Sequence, residues 1–547
     1  MKRLICSLVL LSISISVLNG QDLTSKFDAA KMRERVERLS ADDFEGRGPG
    51  NAGGKRAAQY IADQMKASGI KPANKDSYFQ NVKMIGVKAD PKTVLKVGNE
   101  SLKFADEFVA TTSAQKEKVS VDADLVFAGY GIDAPNYKWN DYKGDSADYR
   151  GKVLMIMVND PPATAAEPDL FGDKALTYYG RWTYKFEEAA RRGAAGVILV
   201  HTPESAGYGW NVVRTSNGNW RYEIARTPTD KAPFLPMKSW ITNDAAVKVL
   251  KGANLNLDEL RAKAQNRDFV PVKTGLKVKL DLNSEMMSFD SPNVVGTVEG
   301  SDPKLKDEYV IYTAHWDHLG IGEPDASGDK IYNGAYDNAS GVAAVLGIAD
   351  VLAKMPTNQR PKRSSMFVFT TAEEQGLLGA EYYSLNPLVP LAKTAANINI
   401  DGANFVGKVS EFSPLGAERS TLMPLAEQAA KERKYKLLPD LHPEQGIFYR
   451  SDHFPLAKVG IPAIHLKFGE NFDASTSHEA MAFFKDYNTK YYHQPSDQAK
   501  NWWSYDAMVQ EAEFALAMGI LAADAQTIPR YKDSDEFSRA DKNRFQR

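Results

Sequence analysis

The chain has 547 residues, of which 43% are hydrophobic, 25% charged and 10% aromatic, the composition of a folded protein with a large core. A formal net charge of -2 argues against a basic surface that binds nucleic acid or acidic membranes. The 39 glycines and 27 prolines are ordinary numbers, which exclude collagen-like and low-complexity chains.

The first twenty residues have the pattern of an export signal. Two basic residues precede the apolar stretch Leu4–Leu18, and Gly20 is a small residue at a plausible cleavage point. The stretch is shorter than the ~20 residues that a membrane-spanning helix needs. We therefore expect residues 1–20 to be a signal peptide, with no stable membrane insertion after cleavage; an uncleaved anchor is the alternative.

The single cysteine, Cys6, lies inside this predicted signal. Cleavage would leave a mature chain without cysteine, which excludes disulfides, thiolate metal sites and a cysteine nucleophile. Export without disulfides fits a periplasmic or secreted bacterial protein. Any metal must then be held by histidines and carboxylates.

Residues 27–70 predict two helices around a glycine-rich loop. Lys55–Ser68 is amphipathic, with an apolar face at helical spacing, and Gly69 is placed to end it. The loop at 48–53 is formally a G-x-G-x-x-G pattern, but no strand precedes it. A loop that leads into a helix therefore explains it better than a dinucleotide site.

Residues 113–284 have a different pattern of predicted strands and helices. An apolar strand at Lys152–Val158, an amphipathic helix at Tyr184–Arg192 and a second apolar strand at Gly196–Val200 predict a small parallel β-α-β unit. This stretch contains one histidine, His201, and no cluster able to do chemistry. We expect a small inserted α/β or β-rich domain.

From about residue 285, short apolar strands alternate with helices. Strands are predicted at 309–312, 366–369, 396–400 and 462–466, and helices at 340–354 and 374–384. This alternation is typical of an α/β fold with a doubly wound, mostly parallel sheet and helices on both faces. We expect residues 21–112 and 285–530 to form one discontinuous domain of this kind. Residues 531–547 are dense in both charges and predict a solvated C-terminal tail.

Seven polar side chains lie just beyond strand ends or in late loops of this domain. They are His315, Asp317, Asp337, Glu373, Glu374, Asp401 and His493. In an open α/β sheet, groups at the carboxyl ends of the strands converge on one crevice. Each residue alone is more often a surface carboxylate or a hydrogen-bonded histidine, but seven at successive strand ends favour one site.

The negative charges in such a cluster repel one another unless cations neutralise them. Nitrogen and oxygen ligands suit Zn²⁺, and one carboxylate can bridge two ions about 3.5–4 Å apart. Asp317, two residues after His315, is placed to orient that imidazole or the adjacent metal site. The H-E-x-x-H pattern fails at residues 478–482, and no G-x-S-x-G turn surrounds Ser340.

A family resemblance is carried by blocks of sequence around these side chains. The blocks are A-H-W-D-H-L-G at 314–320, G-A-Y-D-N-A-S-G at 334–341, T-A-E-E-Q-G at 371–376, N-I-D-G at 399–402, Y-R-S-D-H at 449–453 and Y-H at 492–493. In this order they resemble the M28 family of zinc aminopeptidases. E-G-R-G at 45–48 is similar to the family's N-terminal part. F-A-G-Y-G-I at 127–132 makes the 113–284 insert resemble a protease-associated (PA) domain.

The resemblance implies two Zn²⁺ ions per chain. It assigns His315 and Asp401 to one ion, Glu374 and His493 to the other, and Asp337 to both. Glu373 becomes the general base that takes a proton from the attacking water and passes it to the leaving amine. Tyr449 resembles the tyrosine that helps to stabilise the oxyanion.

The predicted activity is therefore release of N-terminal residues from peptide substrates, with the insert narrowing access to the crevice or forming one wall of it. A carboxypeptidase and a glutaminyl cyclase are the alternatives within the family. A further alternative is a binding protein that is related to a peptidase but has no activity. The sequence keeps every predicted metal-ligand residue, which argues against this alternative. The oligomeric state stays open.

Overall fold

The computed structural model describes residues 23–143, 148–172, 175–218, 220–227 and 229–546. The predicted signal peptide, residues 1–20, lies outside this part of the chain. Within it, no helix combines the length and the apolar character that crossing a membrane requires.

Two large sheets and the helices around them make up the fold. The strands are β1 Lys71–Pro72, β2 Phe79–Ala89, β3 Val94–Val97, β4 Glu100–Lys103, β5 Phe108–Thr111, β6 Lys118–Phe127, β7 Asp133–Ala134, β8 Trp139–Asn140, β9 Val153–Met157, β10 Gly196–His201, β11 Arg221–Ile224, β12 Met237–Thr242, β13 Val272–Val298, β14 Tyr309–His315, β15 Gly320–Ile321, β16 Ile331–Tyr332, β17 Ser364–Thr370, β18 Thr394–Asn399, β19 Glu411–Leu415, β20 Lys436–Leu437 and β21 Ala463–Phe468. The helices are α1 Ala29–Leu39, α2 Ala52–Ala67, α3 Trp182–Arg191, α4 Pro203–Ala206, α5 Trp210–Gly218, α6 Asn243–Lys251, α7 Leu257–Ala264, α8 Gly341–Lys354, α9 Leu378–Leu385, α10 Met423–Arg433, α11 His453–Lys458, α12 His478–Asp486, α13 Tyr505–Asp524 and α14 Ser538–Arg544.

The first sheet has a parallel centre in the order β17-β14-β18-β21. Antiparallel strands flank it, with β13 and β2 on one side and β19 on the other. Alternate side chains of β14 enter different cores: Tyr312 packs with α1, α2, α8, α10 and α13, while Ile311 packs on the opposite face with α9 and α11. The predicted α/β fold with helices on both faces of the sheet is confirmed, and the sheet is mixed at its edges.

The second sheet contains the predicted β-α-β unit, because β9 and β10 are parallel neighbours joined through α3. Its strand order is β4-β3-β13-β6-β9-β10-β12-β5. The strand β13 runs through both sheets: residues 272–283 pair with β6, and residues 284–294 pair with β2.

The pairing differs from the predicted division at residues 113 and 284. Strands β3, β4 and β5 precede residue 113 yet belong to the second sheet, and β11 lies within the predicted insert yet pairs with β2 of the first sheet. The reason is that an alternating apolar pattern marks a strand but does not identify the strand with which it pairs.

The described part of the C-terminal segment, residues 531–546, packs against the fold, contrary to the prediction of a solvated tail. Tyr531 and Phe537 are buried in a hydrophobic cluster with Phe448 and Phe454. The buried carboxylate of Asp541 accepts hydrogen bonds from Arg530 and Arg544. Some charges of this segment, such as those of Asp541 and Arg544, therefore pair within the fold, where composition alone indicated exposure to solvent.

Candidate metal centre and cleft

The predicted site residues meet at the carboxyl ends of three neighbouring parallel strands. His315 is the last residue of β14, Glu373 and Glu374 follow β17, and Asp401 follows β18. The strand register therefore brings their side chains to one edge of the sheet. Glu373 and Glu374 lie in a 3-10 turn, and the helix predicted from Glu374 begins only at Leu378, because the backbone at Leu377 is left-handed.

Asp337 lies between two histidine-carboxylate pairs. Its Oδ1 is 3.2 Å from His315 Nε2, which is also 3.2 Å from Asp401 Oδ1. Its Oδ2 is 3.3 Å from His493 Nε2, which is 2.9 Å from Glu374 Oε2. The two oxygens of one carboxylate thus face two separate nitrogen-oxygen groups.

This arrangement fits divalent cations. Ligands about 2.0–2.1 Å from a tetrahedral ion lie about 3.3 Å from one another, close to the spacings around Asp337. The Nε2 atom of His493 is buried and makes no well-formed hydrogen bond despite its carboxylate neighbours. Burial lowers the pKa of His493, but the charges of Glu374 and Asp337 outweigh burial and raise the pKa to about 10. The donor set therefore carries the negative charge that a cation would neutralise.

Glu373 and Asp317 lie beside the five ligand candidates. Burial raises the pKa of Glu373 well above its ordinary value, and the negative charges of Asp401 and Glu374 add to this effect. Asp317 Oδ1 accepts a hydrogen bond of 3.0 Å from the Glu373 backbone N–H, and its carbonyl oxygen lies 3.1 Å from His315 Nδ1. Asp317 thus holds the turn of Glu373 and the ring of His315. Burial raises the pKa of Asp317 to about 8.

A fully buried guanidinium supports the loops that carry two of these side chains. Arg47 donates to the carbonyl oxygens of Leu39 and Asn333 through Nη1, of Trp316 through Nε and of Gly334 through Nη2, over 2.6–2.8 Å. Trp316 follows His315, and Gly334 begins the turn that leads to Asp337. One side chain from the segment before α2 therefore fixes both loops.

The site contains two further side chains that motif spacing does not assign. Asp497 is buried and accepts hydrogen bonds from the backbone N–H groups of Tyr336 and Asp337 at 3.0 and 3.1 Å. His318 Nδ1 is 2.6 Å from Glu374 Oε1. Proximity to motif residues is the available signal, since Asp497 lies four residues after His493 and His318 three after His315.

The predicted substrate residue Tyr449 is bound by an arginine and by the C-terminal segment. Its hydroxyl donates to Glu536 Oε1 and accepts from Arg419 Nη1, both at 3.0 Å. The ring does not line the cleft described below, whereas the neighbouring Arg450 does. The C-terminal segment supplies Glu536 and also Asp535, which binds Arg419 at 2.8 Å. The assignment of Tyr449 to substrate stays a prediction, and in this structure its hydroxyl is bound by Glu536 and Arg419.

The candidate centre opens into a cleft of about 2650 Å³. Glu373, Asp401 and His493 line it from the first sheet, and Tyr208 and Asn211 line it from the segment that carries the second sheet. Segments of both sheets therefore form walls of one cavity.

Comparison with known proteins agrees with this geometry. The sequence profile of Peptidase family M28 matches residues 293–518. The chain is 25% identical over 367 residues to Aminopeptidase YwaD of Bacillus subtilis (strain 168), covering 66% of this chain and 61% of that protein. It is 34% identical over 131 residues to Aminopeptidase NAALADL1 of Mus musculus, covering 23% of this chain and 16% of that protein. The chain thus spans less than two thirds of the length of these curated relatives.

A solved structure extends the likeness to the fold of the whole chain. The aminopeptidase from Aneurinibacillus sp. strain AM-1 is similar with a TM-score of 0.50 and 20% identity, covering 94% of this chain and 97% of that one. At this identity the likeness concerns the fold. Residues 293–518, which carry the histidine-carboxylate cluster, are thus similar to Peptidase family M28.

Proposed function

We propose that the chain is a zinc-dependent exopeptidase that releases N-terminal residues from peptides. One observation carries the proposal: the Asp337 carboxylate faces a histidine-carboxylate pair on each side, and Glu373 lies beside it in an open cleft. The relatives named aminopeptidase support this reading.

Two Zn²⁺ ions are the proposed cofactors, with His315 and Asp401 holding one, His493 and Glu374 the other, and Asp337 shared. When bound, zinc ions would polarise the scissile carbonyl and make water acidic enough to attack it.

Glu373 would be the residue that transfers the proton during the reaction. Its carboxylate takes a proton from the attacking water and returns it to the nitrogen of the leaving amine. Asp317 contributes by position, because its hydrogen bond to the Glu373 N–H fixes the turn that presents the base.

We also infer export, with residues 1–20 as the cleaved signal, and a PA-like role for the insert as one wall of the substrate cleft. Tyr208 and Asn211 in the cleft lining support the second inference. N-terminal sequencing of the mature protein tests the first, since an intact Met1 would contradict it.

Matched peptides test the activity. The protein is incubated with one peptide that has a free N-terminus and with the same peptide acetylated, with chelator and after zinc is restored. Release of the first residue from the free peptide alone, abolished by chelator and restored by zinc, is expected. Cleavage of both peptides would identify a carboxypeptidase or endopeptidase, and cyclisation of a glutaminyl peptide a cyclase.

Glu373→Gln separates catalysis from metal binding. Loss of the base should lower kcat by about 10²-fold or more, while zinc content stays at the wild-type value. Glu470→Gln is the matched control, because Glu470 is an exposed carboxylate that lines the same cleft. Wild-type kcat in Glu373→Gln would refute the proposed base.

A further inference from the structure

The turn that carries the candidate base has an unfavourable backbone. Residues Glu373–Gln375 form this 3-10 turn, and left-handed residues lie on both sides of it, Ala372 at φ 53° and Leu377 at φ 64°. Residues with a Cβ rarely adopt this conformation, because the Cβ comes too close to the following carbonyl oxygen. Such positions persist where contacts from the surrounding structure hold them. The contacts of this turn therefore decide where Glu373 and Glu374 lie.

Strand β11 supplies one set of these contacts. It pairs with β2 along one edge, and its other edge faces the turn. The Tyr222 N–H donates to Gln375 Oε1 over 3.3 Å, and Arg221 Nη2 donates to the carbonyl oxygen of Gln375 over 3.4 Å. An edge strand leaves alternate N–H groups unpaired, and Gln375 binds one of them here. Gln375 directly follows Glu374, so these hydrogen bonds act next to a candidate metal ligand.

Apolar packing joins the same two elements. Ala372 precedes the turn and Leu378 begins α9 after it, and both are buried against β2. Tyr222 and Ile224 of β11 pack against this cluster. The ring of Tyr222 also contacts Phe289 of β13, with 4.8 Å between the ring centroids. Strand β11 therefore contacts the turn at its last residue and packs against the residues before and after it.

The segment that contains β11 comes from the second sheet. The chain leaves that sheet at the end of β10, pairs with the first sheet as β11 and returns to the second sheet as β12. The same segment contributes Tyr208, Asn211 and Arg221 to the lining of the cleft. One excursion of the chain thus forms part of the cleft wall and contacts the turn of the candidate base.

We propose that Gln375 is a positioning residue, which holds Glu373 and Glu374 in place for catalysis through its hydrogen bonds to β11. Asp317 binds the N–H of Glu373, so the turn is held at its first and at its last residue. This inference rests on the proposed peptidase function. It adds that the segment between β10 and β12 acts on the reaction through the turn as well as through the cleft wall.

Kinetics of Gln375→Met test the inference, because methionine keeps the length of the side chain and removes the acceptor. At saturating zinc, with the peptide Leu-Ala-Ala-NH2, kcat should fall about 10- to 100-fold while KM stays within about twofold. The control is Gln445→Met, which should keep the wild-type kcat and KM. Gln445 also ends a 3-10 turn that lines the cleft and precedes a glycine. An unchanged kcat, or a higher KM without a fall in kcat, would overturn the inference.

Amide hydrogen exchange provides a readout without substrate or metal. In metal-free full-length protein, the Tyr222 N–H should exchange about fivefold faster in Gln375→Met, as expected for the loss of one hydrogen bond. Gln375→Glu keeps an oxygen acceptor at this position and should restore the wild-type rate. Unchanged exchange in Gln375→Met, or fast exchange in both variants, would overturn the inference. If the wild-type protein cleaves no peptide, the peptidase function is refuted, and the exchange rates still decide whether Gln375 binds β11.

Discussion

Replacing Arg47 with methionine tests whether one guanidinium holds the two metal-binding loops. The substitution leaves four backbone carbonyls, those of Leu39, Trp316, Asn333 and Asp337, without a donor, while the Gly334 oxygen keeps a hydrogen bond from the Ala339 N–H. An unpaired buried acceptor costs about 1–3 kcal/mol. The buried positive charge of Arg47 is itself unfavourable, so its removal offsets the larger costs in this range. The net cost is then about the lower limit for each of the four carbonyls. We therefore expect a loss of about 4 kcal/mol in the free energy of unfolding.

This loss corresponds to a measurable shift in Tm. A unit of about 350 residues has an unfolding entropy of ~0.7 kcal/mol per kelvin, so 4 kcal/mol lowers Tm by about 5–6 °C. The measurement is calorimetry of metal-free protein, which separates loop support from zinc binding. Arg47→Lys should give a smaller decrease, because a lysine keeps the charge but its three donors cannot span four carbonyls.

Zinc affinity is the second readout, since misplaced supporting groups typically weaken metal binding about 10- to 100-fold. Arg33→Met is the control, because Arg33 pairs with Glu37 on the exposed face of α1 and should leave Tm and zinc affinity unchanged. A wild-type Tm for Arg47→Met would refute the idea that its hydrogen bonds are needed.

Three further changes test other parts of the structure. His493→Ala should lower bound zinc from two ions per chain to one, measured by elemental analysis, because Asp337 and His315 keep the other ion; two ions in the variant would contradict the ligand assignment. Asp497→Asn should weaken zinc binding about 10-fold in a chelator competition, because the amide accepts the N–H groups of Tyr336 and Asp337 less well; wild-type affinity would show that these hydrogen bonds do not position Asp337. Glu511→Gln concerns pH: burial raises the pKa of Glu511 to about 7 from 4.5, so its contribution to stability is complete below pH 4.5 and is lost as pH rises through 7. The glutamine variant should be more stable than wild type at pH 8, by up to about 3 kcal/mol, with a smaller difference at pH 5, as measured by denaturant unfolding; an equal difference at both values would refute the assigned ionisation.

Much of the site could be predicted from the sequence because its reactive side chains lie at strand ends. Apolar strands such as β14 and β17 are visible as runs of hydrophobic residues, and parallel neighbours bring the residues after them together. The convergence of His315, Glu374 and Asp401 could therefore be predicted from strand positions. The structure was needed to show which atoms face each other across Asp337.

Other features have no pattern in the sequence. The partners of Arg47 are backbone carbonyls, which every residue has, so no residue type marks them. The contact of Tyr449 with Glu536 joins residues 87 positions apart through a segment whose composition suggested solvent exposure.

The shared strand β13 has a mechanical consequence for the cleft. Its ladder passes from β6 at Asn283 to β2 at Ser284 without a break, so both walls are built on one continuous strand of 27 residues. The walls cannot separate by rotation about a flexible linker there; any widening must bend or twist a hydrogen-bonded strand. The width of the cleft is thus set by strand curvature, and a glycine or a bulge at residues 283–284 would loosen both walls at once.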